Sequence, residues 1–124
     1  MKIQDVLGFQ EIYPEIANIK LPLQTVYKLA KISQKLEQEY NFYQSNFNKI
    51  LDEFALRKED GSYEVSEDGA SVKLQPDKIN ECARRIEELQ NVTISEPDAY
   101  LSIDELGDIN LTLTQMNKLM PFIR

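Results

Sequence analysis

The chain has 124 residues, 42% of them hydrophobic and 28% charged, with 14 Lys/Arg against 21 Asp/Glu for a net charge of −7, no histidine and one cysteine. These values predict a single domain with a modest core. They exclude histidine-based nucleophilic catalysis, a Cys/His zinc site and an internal disulfide, and they disfavour a grip on nucleic-acid phosphate.

Along the chain the charge is uneven. Residues 1–58 hold 8 Lys/Arg against 7 Asp/Glu, a net of +1, whereas residues 59–124 hold 6 against 14, a net of −8. An acidic second half predicts either a solubilising surface or a face that meets a basic partner. There is no apolar run of about 18 residues to span a membrane, and Asp5, Glu11 and Glu15 interrupt the stretch where a signal peptide would be apolar. The expectation is a cytosolic protein, and the single Cys82 fits a reducing compartment.

In residues 1–20 the apolar clusters Ile3-Val6-Leu7-Phe9 and Ile12-Tyr13 are interrupted by Gly8 and Pro14, which predicts a short helix ending before the proline. The next segment, "KLPLQTVYKLAKISQKLEQEYNFYQSNFNKILDEFALRK", contains no Pro or Gly after Pro22 until Gly61. A long helix over residues 22–57 follows. Val26, Leu29, Leu36, Tyr40, Tyr43, Phe47, Ile50 and Phe54 recur at alternating steps of three and four, with Ser33 the one polar member of the seam. Such a helix would be roughly 50 Å long, more than a compact domain of this size can cover by itself.

Residues 59–69, "EDGSYEVSEDG", hold two acidic-glycine turns. Tyr63 and Val65 alternate with polar residues, as do Val72 and Leu74, and Asp68-Gly69 lies between the two arms. A β-hairpin over residues 62–74 is the expectation. A calcium loop fails on spacing: with Asp60 as the first position, the sixth residue is Val65 where glycine is needed, and the twelfth is Ser71 where glutamate is needed.

A second helix over residues 76–90 opens at Pro76 and carries Ile79, Cys82, Ile86 and Leu89 on one face. It should pair antiparallel with the last half of the long helix, with the hairpin at the tip. Its Cys82 reads as a small core residue. In residues 91–124, Val92 to Ile94 read as a short strand, and Ser102…Glu105 and Thr112…Gln115 have capping-box spacing. Gly107 can end the first resulting turn and Pro121 the second. These two small helices should cover the first half of the long helix. The fold class expected is thus mainly α with a small β-hairpin.

The order of these pieces resembles a family of small uncharacterised proteins encoded by tailed phages and prophages of Gram-positive bacteria. The resemblance is carried by "KLPLQTVYKLAK" opening the long helix, the acidic Asp-Gly turn, the second helix and the closing "YLSIDELGDINLTLTQMNKLM", and it covers residues 20–123. It implies a protein of the bacterial host cytoplasm or the virion, and it brings no established activity or cofactor.

No phosphate loop or catalytic signature occurs among the four glycines, so the function expected is non-enzymatic binding to a protein partner or to a second copy, as a virion accessory or assembly factor. Off-seam Tyr27 and Phe42 are the candidate aromatic anchors. The alternative is an acidic inhibitor of a host nucleic-acid enzyme or defence complex, with Glu87, Glu88, Asp104 and Asp108 as the contact carboxylates. No cofactor, metal, nucleic acid or membrane is expected as a partner.

Overall fold

A computed structural model of the chain describes residues 1–107 and 109–124. Four α-helices carry most of the described residues: α1 (Ile3–Ala17), α2 (Leu23–Phe54), α3 (Ile79–Gln90) and α4 (Leu113–Leu119). The chain divides into two compact units, one formed by Met1–Asn41 with Val92–Arg124 and the other by Phe42–Asn91.

In the first unit α1 is longer than the sequence suggested. It starts where the Asp5 carboxylate accepts a hydrogen bond from the Lys2 backbone N–H at 2.9 Å, and it continues through both Gly8 and Pro14. Pro14 lies on the exposed side, where a missing backbone N–H costs least. The helix stops at Asn18, whose side-chain amide donates back to the Pro14 carbonyl at 3.2 Å. Gly8 sits where α4 passes: a Cβ there would meet the Lys118 side chain at 3.5 Å, an ordinary contact.

Val6, Phe9, Ile12 and Ile16 of α1 pack with Leu29, Ile32 and Leu36 of α2 and with Leu101, Leu106, Leu119 and Phe122 from the C-terminal segment. Phe9 and Phe122 lie at the centre with ring centroids 5.0 Å apart. The C-terminal helical turns do cover the first half of α2, as the spacing suggested, but α1 shares that task.

Along α2 the buried row differs from the heptad seam. In its first half Thr25, Leu29, Ile32 and Leu36 are buried, while the seam residue Val26 is exposed. In its second half Ile50 and Phe54 are buried on the seam. The cause is the mismatch between 3.6 residues per turn and a 3.5 repeat, which rotates a straight helix by about 20° per heptad. Followed back from Phe54, the seam turns off the buried side by Val26, and Thr25 and Ile32 take its place.

In the second unit Ile50, Phe54, Cys82 and Leu89 form a small buried cluster, flanked by Tyr43, Phe47, Leu74 and Ile86. The second helix thus packs on the later part of α2, preceded by a 3-10 turn over Pro76–Lys78. Helix α2 ends at Phe54, three residues before the expected boundary, and the reason lies in the next segment.

The expected β-hairpin over residues 62–74 is not present: the described residues form no sheet. The isolated antiparallel bridges Ala55↔Leu74, Arg57↔Tyr63 and Val65↔Val72 stand in its place. The Leu56 N–H donates to the Lys73 carbonyl at 2.9 Å, the Lys73 N–H to Glu64 at 2.8 Å, and the Glu64 N–H to Leu56 at 2.9 Å. Three segments therefore close a ring in which each bonds both others. Each pair of segments meets at a single isolated bridge rather than along a run of paired residues, so no ladder forms. Residues 55–57 leave the helix to supply its third side. The two glycine turns are present, with φ of 88° at Gly61 and 72° at Gly69.

The short strand expected at residues 92–94 is likewise a single bridge, Lys2↔Thr93, held by Ile3 N–H to Val92 at 3.0 Å and Ile94 N–H to Met1 at 2.9 Å. Both capping boxes are formed. Ser102 and Glu105 exchange bonds of 3.2 Å and open the 3-10 turn Asp104–Leu106, which ends at Gly107 with φ of 60°. Thr112 and Gln115 exchange bonds of 2.9 and 3.1 Å and open α4, which runs into a further 3-10 turn at Met120–Phe122.

Candidate protein-binding surface

A carboxylate cluster is the first place to seek chemistry in an acidic chain, and the two acidic turns bond their own carboxylates locally. Asp60 accepts from the Ser62 N–H at 2.9 Å and from its hydroxyl at 2.6 Å. Asp68 accepts from the Ser66 hydroxyl and, at 3.0 Å, from the Ala70 N–H. These bonds hold both carboxyls below the ordinary carboxylate range, with the serine hydroxyl the larger cause in each. Among the described residues no group of three or more Cys, Asp or Glu side chains is arranged to hold a metal ion. Cys82 is fully buried in the second unit, and burial pushes its thiol up, the opposite of what a nucleophile needs.

The acidic candidates are not assembled into one surface patch within either unit. Glu87 and Glu88 are exposed on α3 in the second unit, and Glu88 accepts from Arg84 at 2.9 Å one turn away. Asp104 is exposed in the first unit, and Asp108 lies outside the described residues. The contrast between chain halves also disappears in space. The first unit holds 7 Lys/Arg against 10 Asp/Glu and the second 7 against 11, so the two have nearly equal charge.

Buried polar chemistry in the first unit centres on Glu105. Its carboxylate accepts from Lys28 Nζ at 2.8 Å, and its backbone carbonyl accepts from the fully buried Thr25 hydroxyl at 2.6 Å. The Lys28 bond is the main cause holding the Glu105 carboxyl below the ordinary range. Together the bonds fix the 3-10 turn against the start of α2. No helix in the described chain is long and apolar enough to cross a membrane.

What the first unit does present is apolar surface. Leu23 is 84% exposed, Tyr27 57%, Ile103 68% and Leu113 78%. Of the two aromatic candidates, Tyr27 belongs to this group, with Lys31 Nζ 5.4 Å from its ring centroid. Phe42 is exposed as well, in the second unit.

Three shallow apolar hollows lie on the first unit, and Leu23 and Tyr27 line none of the three. One of about 330 Å³ lies between the 3-10 turn and α4, with Ile103 and Leu113 at its margin and Leu106, Ile109, Leu111 and Met116 within. A second, about 360 Å³, shares Leu106, Gly107 and Ile109 with it and reaches Ile19, Leu21 and Pro22. The third, about 100 Å³, shares Ile19 and Leu21 and lies between α1 and α2, with Tyr13, Ile16, Val26 and Ala30 in its walls. The shared residues make these three hollows neighbours on the first unit. Sequence reasoning missed Leu23 and Ile103 because single apolar residues beside turns carry no periodic signal, and it read Leu113 with Met116, Leu119 and Met120 as the covering face of a C-terminal helix, whereas Leu113 is exposed. No protein-family model, curated protein or solved structure matches this chain.

Proposed function

We propose that the protein is a non-enzymatic binding protein that acts through contact between the exposed apolar surface of its first unit and another protein. One observation carries the reading: a unit that already encloses a core also leaves Leu23, Tyr27, Ile103 and Leu113 more than half exposed, with Ile103 and Leu113 lining one of three neighbouring apolar hollows. Contiguous exposed apolar surface is characteristic of interaction sites. The resemblance to small phage proteins directs the reading to a virion accessory or assembly factor. The acidic-inhibitor alternative is less well supported, because its described carboxylates are divided between α3 and a turn of the first unit.

Affinity capture from infected and uninfected bacterial cells, with the wild-type chain beside a Leu23→Ser, Ile103→Ser, Leu113→Ser triple variant, tests this reading. Phage structural proteins recovered from infected cells alone, and lost with the variant, are the expected result. A wild-type chain that sediments as a monomer and recovers nothing, or a variant that recovers the same proteins, overturns it.

A further inference from the structure

The second unit carries a pair of dipeptides that the rest of the chain lacks. Of the chain's four glycines only Gly61 and Gly69 follow an aspartate, and no Asn-Gly occurs. Aspartyl-glycine is the bond at which a carboxyl is most open to attack by its own backbone, because the glycine nitrogen has no side chain beside it and can reach the aspartate Cγ to close a succinimide ring. Asp60, Gly61, Asp68 and Gly69 are all exposed, and a Cβ placed on either glycine would meet nothing within 4 Å. Neither site is walled off from water.

Hydrogen bonds restrain both turns, and they do so unequally. In each the glycine N–H is held back: Gly61 donates to the Lys58 carbonyl at 3.0 Å and Gly69 to the Ser66 carbonyl at 2.8 Å. The first turn has a further tether, because Arg57 Nη1 donates to the Gly61 carbonyl at 2.8 Å while its guanidinium pairs with Asp52 and lies 4.8 Å from the Tyr63 ring centroid. Rotating the Asp60–Gly61 peptide to bring nitrogen to Cγ would break that tether. The Gly69 carbonyl has no hydrogen bond among the described residues. What holds the second turn is Ser66, whose hydroxyl donates to Asp68 and accepts from the Ser71 N–H at 3.2 Å.

We propose that Asp68–Gly69 is a covalent modification site, at which aspartate converts to isoaspartate through a succinimide ahead of Asp60–Gly61. The reaction proceeds when the tip opens locally. The Asp68 carboxyl takes up a proton, the Gly69 nitrogen bonds to Cγ, and the nitrogen's own proton leaves with the departing hydroxyl as water. A water molecule then adds to the ring. Cleavage at the side-chain carbonyl restores aspartate; cleavage at the main-chain carbonyl leaves isoaspartate, with the chain running through the former side chain and the former main-chain carbonyl now a carboxylate. No oxidant or second reagent is needed. The added main-chain carbon falls between Val65 and Val72, the bridge that closes the tip. The inference concerns the second unit and does not depend on the binding function proposed for the first.

Peptide mapping of the aged chain tests the inference. The native protein is held at neutral pH in heavy-oxygen water and then digested in ordinary water, and isoaspartate is located by fragmentation, with incorporated oxygen marking each ring that has opened. Isoaspartate is expected at Asp68 before Asp60. Ser66→Ala frees the second turn, so isoaspartate at Asp68 should accumulate about fivefold faster, the effect of losing one hydrogen bond on the open population, with Asp60 unchanged. Arg57→Ala should raise the rate at Asp60 toward that at Asp68. Isoaspartate first or equally at Asp60 in the wild type, none at Asp68, or an unchanged Asp68 rate in Ser66→Ala overturns the assignment.

Discussion

The two units solve the same problem of stabilisation with different means. The buried cluster of the first holds eleven apolar residues drawn from α1, α2 and the C-terminal segment. That of the second holds four, and this unit's remaining order comes from polar geometry: the ring of backbone bonds through Leu56, Glu64 and Lys73, and the ion pairs Arg57–Asp52 and Arg85–Glu53. Exposed ion pairs contribute little individually, so the second unit depends on a handful of side chains. The first has apolar surface beyond what its core consumes. A unit with surplus apolar surface is suited to binding, and one with a minimal core is suited to holding a helix end and its return in place.

Truncating one core side chain in each unit breaks the comparison most directly. Phe54→Ala and Phe122→Ala should each cost about 3–5 kcal/mol, because both rings are buried and neither site can collapse fully. The consequences should differ. With only four residues in its buried cluster, the second unit loses its organising side chain, and amide protection should vanish together at Leu56, Glu64 and Lys73. In Phe122→Ala the ten remaining core residues should retain partial protection in α1. Chemical denaturation with hydrogen exchange checks both, and scattered exchange among the three ring amides would show that the ring is not a cooperative unit.

How much of this was legible in the sequence follows from where the signal was periodic. Helices α2, α3 and α4 and both capping boxes could be read from spacing and cap chemistry. Helix α1 was read short because Gly8 and Pro14 interrupt its apolar clusters, whereas the helix runs through both, with Ile3, Val6, Phe9 and Ile12 recurring every third residue. Each such step rotates the face by about 60°, so no narrow stripe appears, and the result is a wide face packed against both α2 and α4. The hairpin was misread because Tyr63, Val65, Val72 and Leu74 alternate as a two-stranded ladder would, whereas residues 55–57 had been assigned to the helix. Nothing local in Ala55-Leu56-Arg57 announces a third side of a ring. For the candidate site, Tyr27 was legible as an off-seam aromatic. The hollows were not, because they are lined by residues as far apart as Tyr13 and Met116.

A smaller effect sharpens the polar side of the first unit. Thr25→Val preserves shape but removes the bond to the Glu105 carbonyl, and it should cost about 1–2 kcal/mol. The urea midpoint measures it. A null result would mean that the turn carrying Ile103 and Leu106 is held by its apolar contacts alone.

Two glycines should respond with opposite signs, each by roughly 0.5–1 kcal/mol. Gly8→Ala should stabilise, because the new methyl meets Lys118 at 3.5 Å and the helix gains propensity. Gly69→Ala has open space around it, yet its φ of 72° is strained for any side chain, so thermal melting should show a loss. Equal responses would mean that the α1–α4 contact is tighter than its geometry implies.

The smallest effect is that of pH, and its direction follows from the carboxyls of the glycine turns. Asp60 and Asp68 are held below the usual value of 3.8 in the folded chain. Their contribution to stability is therefore complete above that value and is lost as pH falls through the lower, folded one. Both side chains are exposed, so the change should be slight beside that of a core truncation. Melting temperatures of wild type and an Asp60→Asn, Asp68→Asn variant should converge in acid and separate toward neutral pH, with the wild type higher. The serine hydroxyls identify the source: Ser62→Ala and Ser66→Ala remove the largest cause of each depression, so they should reduce the same separation. A gap between wild type and the Asn variant that stayed constant across the acid range would locate the effect in the turn backbone rather than in ionisation.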